Sequence, residues 1–67
     1  MRIALIGHGA IARYAMERLR ERGHRIDALV LRPERIAEME GRGANGAVLV
    51  SSAADLPDGI DHVIDCA

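Results

Sequence analysis

The sequence predicts an α/β fold built on a doubly wound parallel sheet, and three observations carry that prediction. Short continuous apolar runs, each bounded by glycine or turn residues, alternate with stretches of helical periodicity. A glycine-rich turn, Gly7-His8-Gly9, joins the first apolar run directly to the first helical pattern. Aromatic residues make up only 1% of a chain that is 49% hydrophobic, so the core is an aliphatic one of Ile, Val, Leu, Met and Ala.

Each element follows from its local pattern. Ile3-Ala4-Leu5-Ile6, ending at Gly7, has the form of a strand buried on both faces. From Ala10 onward, Ile11, Ala15 and Leu19 recur at i, i+4 and i+8 with Ala12 and Met16 beside them, while Arg13, Glu17, Arg20 and Glu21 fall elsewhere on the wheel. This is an amphipathic helix, and Gly23 suits its C-terminal cap. Ile26 to Leu31 reads as a second strand. Pro33 fits the first turn of a second helix, where its missing N–H would have had no partner, and that helix carries Ile36 and Met39 inward. Gly41 to Gly46 is a loop and Ala47 to Val50 a third strand. Ser51-Ser52 offers a cap for a short helical turn through Leu56, Pro57-Asp58-Gly59 is a turn, and His62 to Cys66 is a fourth strand.

The expected order is therefore β-α-β-α-β-β, about four strands, paired in parallel through right-handed crossovers. At 67 residues the chain is at most one small domain. A buried last strand with no covering helix leaves an open edge and one bare face, so residues 1–67 read as the N-terminal portion of a longer domain.

Composition narrows the class of partner. Net charge is −1 with both signs interspersed, so no basic stripe exists to neutralise a nucleic-acid backbone. No apolar run approaches the roughly 18 residues needed to span a bilayer, and the run Ile3 to Ile6 leads into a glycine turn rather than a cleavage site. A soluble cytoplasmic protein with no nucleic-acid or membrane partner is expected. Cys66 has no second cysteine to pair with or to build a zinc site, so neither a disulfide nor a metal is expected.

Gly7-His8-Gly9-Ala10-Ile11-Ala12 fits the G-x-G-x-x-G/A pattern and sits between a strand and a helix, the context that gives a Rossmann-type motif its meaning. Gly7 permits the tight turn, Gly9 leaves room for a pyrophosphate to approach the backbone, and Ala12 lets the helix lie close to the sheet. The unpaired N–H groups at the helix start, from Ala10 and Ile11, together with the positive end of the helix dipole, hold phosphate oxygens. A glycine turn can also serve only to redirect a chain. Here strand, helix, second strand and N-terminal position all agree with binding of a nicotinamide dinucleotide, NADP or NAD.

In such folds an Asp or Glu at the end of the second strand selects the 2′-hydroxyl of NAD. Here Leu31 is followed by Arg32, and Asp27 lies roughly 16 Å away along the strand at about 3.3 Å per residue. Three readings of Arg32 stand side by side: a fork for the 2′-phosphate of NADP, a plane stacked on adenine, or a solvated surface group. Glu34 is a further candidate for the ribose, from the next helical turn. His8 reads as decoration of the loop, His24 and His62 as exposed, Asp65 as an anchor for the following loop, and Cys66 as a small buried residue rather than a reactive thiol. No residue of the chain is assigned a catalytic role.

Arg2 to Ala12 and Asp61-His62-Val63-Ile64-Asp65-Cys66-Ala67 together resemble the L-aspartate dehydrogenase family. Members begin with a similar glycine turn, and their fourth strand ends in an acid, a small residue and Ala before a Gly. The resemblance runs the length of this chain, which is a fraction of the family's length. The first motif is shared with homoserine dehydrogenases, dihydrodipicolinate reductases and sugar oxidoreductases of related architecture; Val63 to Ala67 is the more selective piece. The resemblance implies oxidation of L-aspartate to iminoaspartate with NAD or NADP, feeding nicotinamide cofactor biosynthesis, by a full-length enzyme expected to be a homo-oligomer. Gly7 and Gly9 carry over as the pyrophosphate site, and Cys66-Ala67 as the start of the loop passing near the nicotinamide ribose. The family's catalytic histidine and the pocket for its small amino-acid substrate lie in the later domain, so this chain alone is expected to be inactive. From a different class, the same fold serves in regulatory modules that sense NAD(H) without catalysis.

Overall fold

The computed structural model describes residues 1–40 and 46–66; of the expected loop, 41–45 lie outside the described residues, as does Ala67. The elements are β1 (Arg2–Ile6), α1 (Ala10–Glu21), β2 (Arg25–Val30), α2 (Pro33–Glu40), β3 (Val48–Val50), a 3-10 turn (Ala53–Asp55) and β4 (His62–Asp65). All four strands are parallel, in the order β3-β2-β1-β4. The chain thus steps outward from β1 to β3 and then returns to the far side of β1, which is the winding that the sequence predicts. Strand ends differ from expectation by a residue because hydrogen bonding fades gradually there: the Leu31 N–H still donates to the Val50 carbonyl at 2.8 Å, and the Cys66 N–H to the Ile6 carbonyl at 2.9 Å.

Register organises the core. Leu49, Leu29, Leu5 and Ile64 stand in one row across the four strands. Met16 joins this row in the buried cluster, with Leu19, Ile36 and Met39 packed against it. The neighbouring row, Val48, Ala28, Ala4 and Val63, points to the opposite face because successive side chains alternate. Its two central alanines are fully buried, whereas Val48 and Val63 at the ends are 49% and 46% exposed. Right-handed crossovers put α1 and α2 on one face, and the return to β4 crosses the other with only a 3-10 turn. No polar or charged side chain is buried among the described residues.

The inward face of α1 differs from the expected line. Ile11 is 74% exposed, and the buried positions are Ala12 and Met16. A step of four residues advances about 40° beyond a full turn, so the line Ile11, Ala15, Leu19 drifts around the helix and only its later members reach the sheet. Past the C-terminus, the Gly23 N–H donates to the Arg20 carbonyl and the His24 N–H to the Leu19 carbonyl, both at 3.0 Å, the pair of bonds that closes a Schellman motif. His24, expected to be exposed, is half-buried, with Nδ1 3.2 Å from the N-terminal amine; His62 is exposed as expected.

At the N-terminal ends of the strands the pairing of β1 with β2 skips one residue: Ile3 faces Ile26 and Ala4 faces Ala28. Asp27 is the extra residue of this bulge. Its carboxylate accepts from the Arg2 side chain and, at 3.2 Å, from Arg25. Arg2 also ties in the approach to β4, donating from its side chain to the Asp58 carbonyl at 3.1 Å and from its backbone N–H to the Asp61 carboxylate at 2.7 Å. Gly59, beside the Arg2 guanidinium, takes φ 86°, a backbone conformation that L side chains rarely adopt.

Candidate functional site

A cleft of about 730 Å³ opens at the C-terminal ends of the strands, lined by the glycine turn, the ends of β2 and β3, the start of α2 and Cys66. This is where the winding reverses between β1 and β4, the crevice in which open α/β sheets bind ligands.

Gly7 sits at φ 99°, a backbone conformation that L side chains rarely adopt, and its N–H donates to the Val30 carbonyl at 2.9 Å. That bond ties the turn to β2 as the chain leaves the sheet. Gly9 is the N-cap of α1, with φ −82° and ψ −167°, and its carbonyl accepts from the Arg13 N–H at 3.0 Å. It gives α1 no side-chain cap, and the first turn contains no acid. The N–H groups of Ala10 and Ile11 are therefore left at the helix start without a capping side chain. A Cβ built on Gly9 would meet nothing within 4 Å. Neither backbone strain nor packing requires glycine here. Ala12 is fully buried beneath.

Two arginines, Arg32 just before α2 and Arg35 in its first turn, border the cleft. The Arg32 side chain is 82% exposed, and its Nε lies 3.8 Å from the Glu34 carboxylate. Arg35, which the sequence reading does not single out, pairs with Glu38 at 3.0 Å and reaches back to donate to the His8 carbonyl at 3.5 Å. The signal that could have found it is its position three residues beyond Arg32, in the first turn of the helix that Arg32 precedes. His8 is half-buried, and burial, with lesser help from the charges of Arg13 and Arg35, lowers its pKa from the usual histidine value. Ser51 lines the cleft at the end of β3, while the capping role belongs to Ser52, whose Oγ accepts from the Ala54 N–H at 3.2 Å.

Cys66 lies half-buried against the cleft at the end of β4; Ala67, its expected companion, lies outside the described residues. Asp65 is exposed and stands beside Ile6 in the ladder. Asp27 is at the other end of the sheet, engaged with Arg2 and Arg25. The lining thus carries two guanidinium groups, an imidazole and a serine hydroxyl, with no carboxylate among the described residues. Such a surface is suited to anions. No group of three or more His, Cys, Asp or Glu able to hold a metal ion occurs among the described residues, and no helix there is long and apolar enough to cross a membrane. Comparison with protein-family models, curated proteins and solved structures finds no match to this chain.

Proposed function

We propose that this chain is the nicotinamide-dinucleotide-binding portion of a cytoplasmic oxidoreductase of the L-aspartate dehydrogenase kind, taking NADP or NAD in the cleft above β1 and β2. The observation that carries the reading is Gly9. Its backbone angles suit any residue and a side chain there would touch no protein atom, so neither strain nor packing calls for a glycine, whereas a pyrophosphate lying over the start of α1 leaves no room for a side chain. The cleft volume also falls within the range of small-ligand sites, about 300 to 1,000 Å³.

The residues present fit the group. Gly7 and Gly9 shape the turn, the N–H groups of Ala10 and Ile11 donate to pyrophosphate oxygens, and Arg32, with Arg35 beside it, meets the 2′-phosphate of NADP. The loop that starts at Cys66 passes near the nicotinamide ribose, as the family resemblance implies. When bound, the cofactor supplies hydride transfer; the part of this chain is to bind and orient it.

Calorimetric titration of the chain with NADP and with NAD tests the proposal, comparing wild type with Gly9→Val. The variant should keep its fold, judged by its circular dichroism and melting, and lose affinity for both cofactors because the branched side chain fills the pyrophosphate's space. Equal affinity in wild type and variant would reduce the glycine turn to a turn.

A further inference from the structure

We propose that the His8 imidazole is a direct phosphate contact of this cleft, meeting the pyrophosphate of the bound dinucleotide in its protonated form and taking up a proton from solvent as the complex forms. The inference rests on the dinucleotide reading above and adds to it a residue and a pH dependence.

Position comes first. His8 occupies the one site between the two turn glycines, lines the cleft and is half-buried against it. The Arg35 guanidinium reaches it from a second element, 3.5 Å from its carbonyl. Electrostatics then decide its protonation. Among the described residues, the charged and titratable groups around it are Arg13 from α1, Arg32 just before α2, Arg35 from α2, and Asp65 and Cys66 at the end of β4, while the ends of β2 and β3 line the cleft with Val30, Leu31 and Ser51. Apart from its own main chain, the imidazole has no partner among the described residues. Burial and the Arg13 and Arg35 charges disfavour the imidazolium in the free chain. A pyrophosphate entering the same cleft brings two negative charges and reverses that balance, because an opposite charge within a few ångströms favours the protonated ring. Binding and protonation are then linked, and affinity must rise as pH falls.

NAD is the probe of choice, since its pyrophosphate does not titrate near neutrality, whereas the 2′-phosphate of NADP does, with a pKa of about 6 for a phosphate monoester. Dissociation constants for NAD would be measured at fixed ionic strength from about pH 5.5 to about pH 8.5 on the wild-type chain and on His8→Gln. We expect wild-type affinity to weaken about tenfold across this range, corresponding to a shift of about one pKa unit on binding, and the variant to be flat. A second readout needs only the wild type for its result: the histidine proton resonance that is absent from His8→Gln should titrate at higher pH when the chain is saturated with NAD. A flat wild-type profile, or a slope that persists in His8→Gln, overturns the role of His8 while leaving the dinucleotide site standing. Absence of NAD binding at every pH overturns both.

Discussion

Arg32, just before α2, and Arg35 within it each hold a glutamate of that helix, Arg32 loosely at 3.8 Å and largely in solvent. Exposed pairs of this kind contribute roughly 0 to 1 kcal/mol, so releasing Arg32 to a ligand costs little. A charge-assisted hydrogen bond to phosphate is worth about 1.5 to 3 kcal/mol, and Arg32→Ala should weaken NADP binding roughly ten- to a hundredfold while NAD is barely affected. Both dissociation constants at one ionic strength decide the matter; a constant ratio means that Arg32 stacks on the shared adenine or plays no part. A second expectation concerns Asp27. The hydrogen bond from Arg2, reinforced by the charge of Arg25, holds its carboxyl below the ordinary value of 3.8. A lowered carboxylate pKa gives stability that is present above the unfolded-state value and lost as pH falls through the folded-state one. Melting temperatures should therefore separate wild type from Asp27→Asn at neutral pH and converge as pH drops from about 5 to below 3.8. Convergence failing to appear would mean that the bulge is held by its backbone alone. Of the site residues, Gly7, Gly9, Ala12 and Arg32 are legible in the sequence because they lie within or just beyond single strand-to-helix turns. Arg35 and Ser51 are not, since only the folding of α2 and β3 beside the glycine turn brings them there.

At the scale of elements, all four strands and both helices are legible, since an apolar run of four and an amphipathic period both survive without knowledge of the partner. What escapes is the phase of α1 and the bulge in β2. Apolar residues at 11, 12, 15, 16 and 19 cover a wide arc of the wheel, and the sheet takes the part that carries Ala12 and Met16. Ile11 is apolar, yet it lies outside that arc. The two positions should respond very differently to truncation. Met16→Ala removes a side chain that is 7% exposed and should cost about 2 to 5 kcal/mol, enough to unfold much of so small a domain. Ile11→Ala, at a 74% exposed position, should stay within about 0.5 kcal/mol of wild type. Urea titrations of the pair check this, and equal losses would place the sheet against the other side of α1. The bulge escapes because an inserted residue is defined only against the strand opposite; Asp27 alone, inside an apolar run, does not reveal that β1 will skip it.

For the molecule as a whole, holding a cofactor would not by itself give turnover, because binding alone does not set a hydride acceptor against a substrate. A spectrophotometric assay of the pure chain with L-aspartate and either nicotinamide cofactor should show no rate above blank, and any turnover would mean that a catalytic group lies within these residues. The reversal of winding that creates the cleft also imposes an order on its assembly. Pairing β1 with β4 joins residues 59 positions apart, whereas the contact of the amino terminus with His24 beside β2 spans 23. Closing the longer loop from an open chain costs roughly 0.8 kcal/mol more in lost chain entropy. We expect the β1-α1-β2 unit to form ahead of β4, with the final closure, once β2 and β3 are laid down, spanning only the short stretch after β3. Until β4 docks, the wall that ends in Cys66 is missing, so a ligand that needs this wall binds only chains that have completed their last closure. By mass action such a ligand draws the population toward them, and the strand that is last to arrive becomes the one whose place the ligand secures.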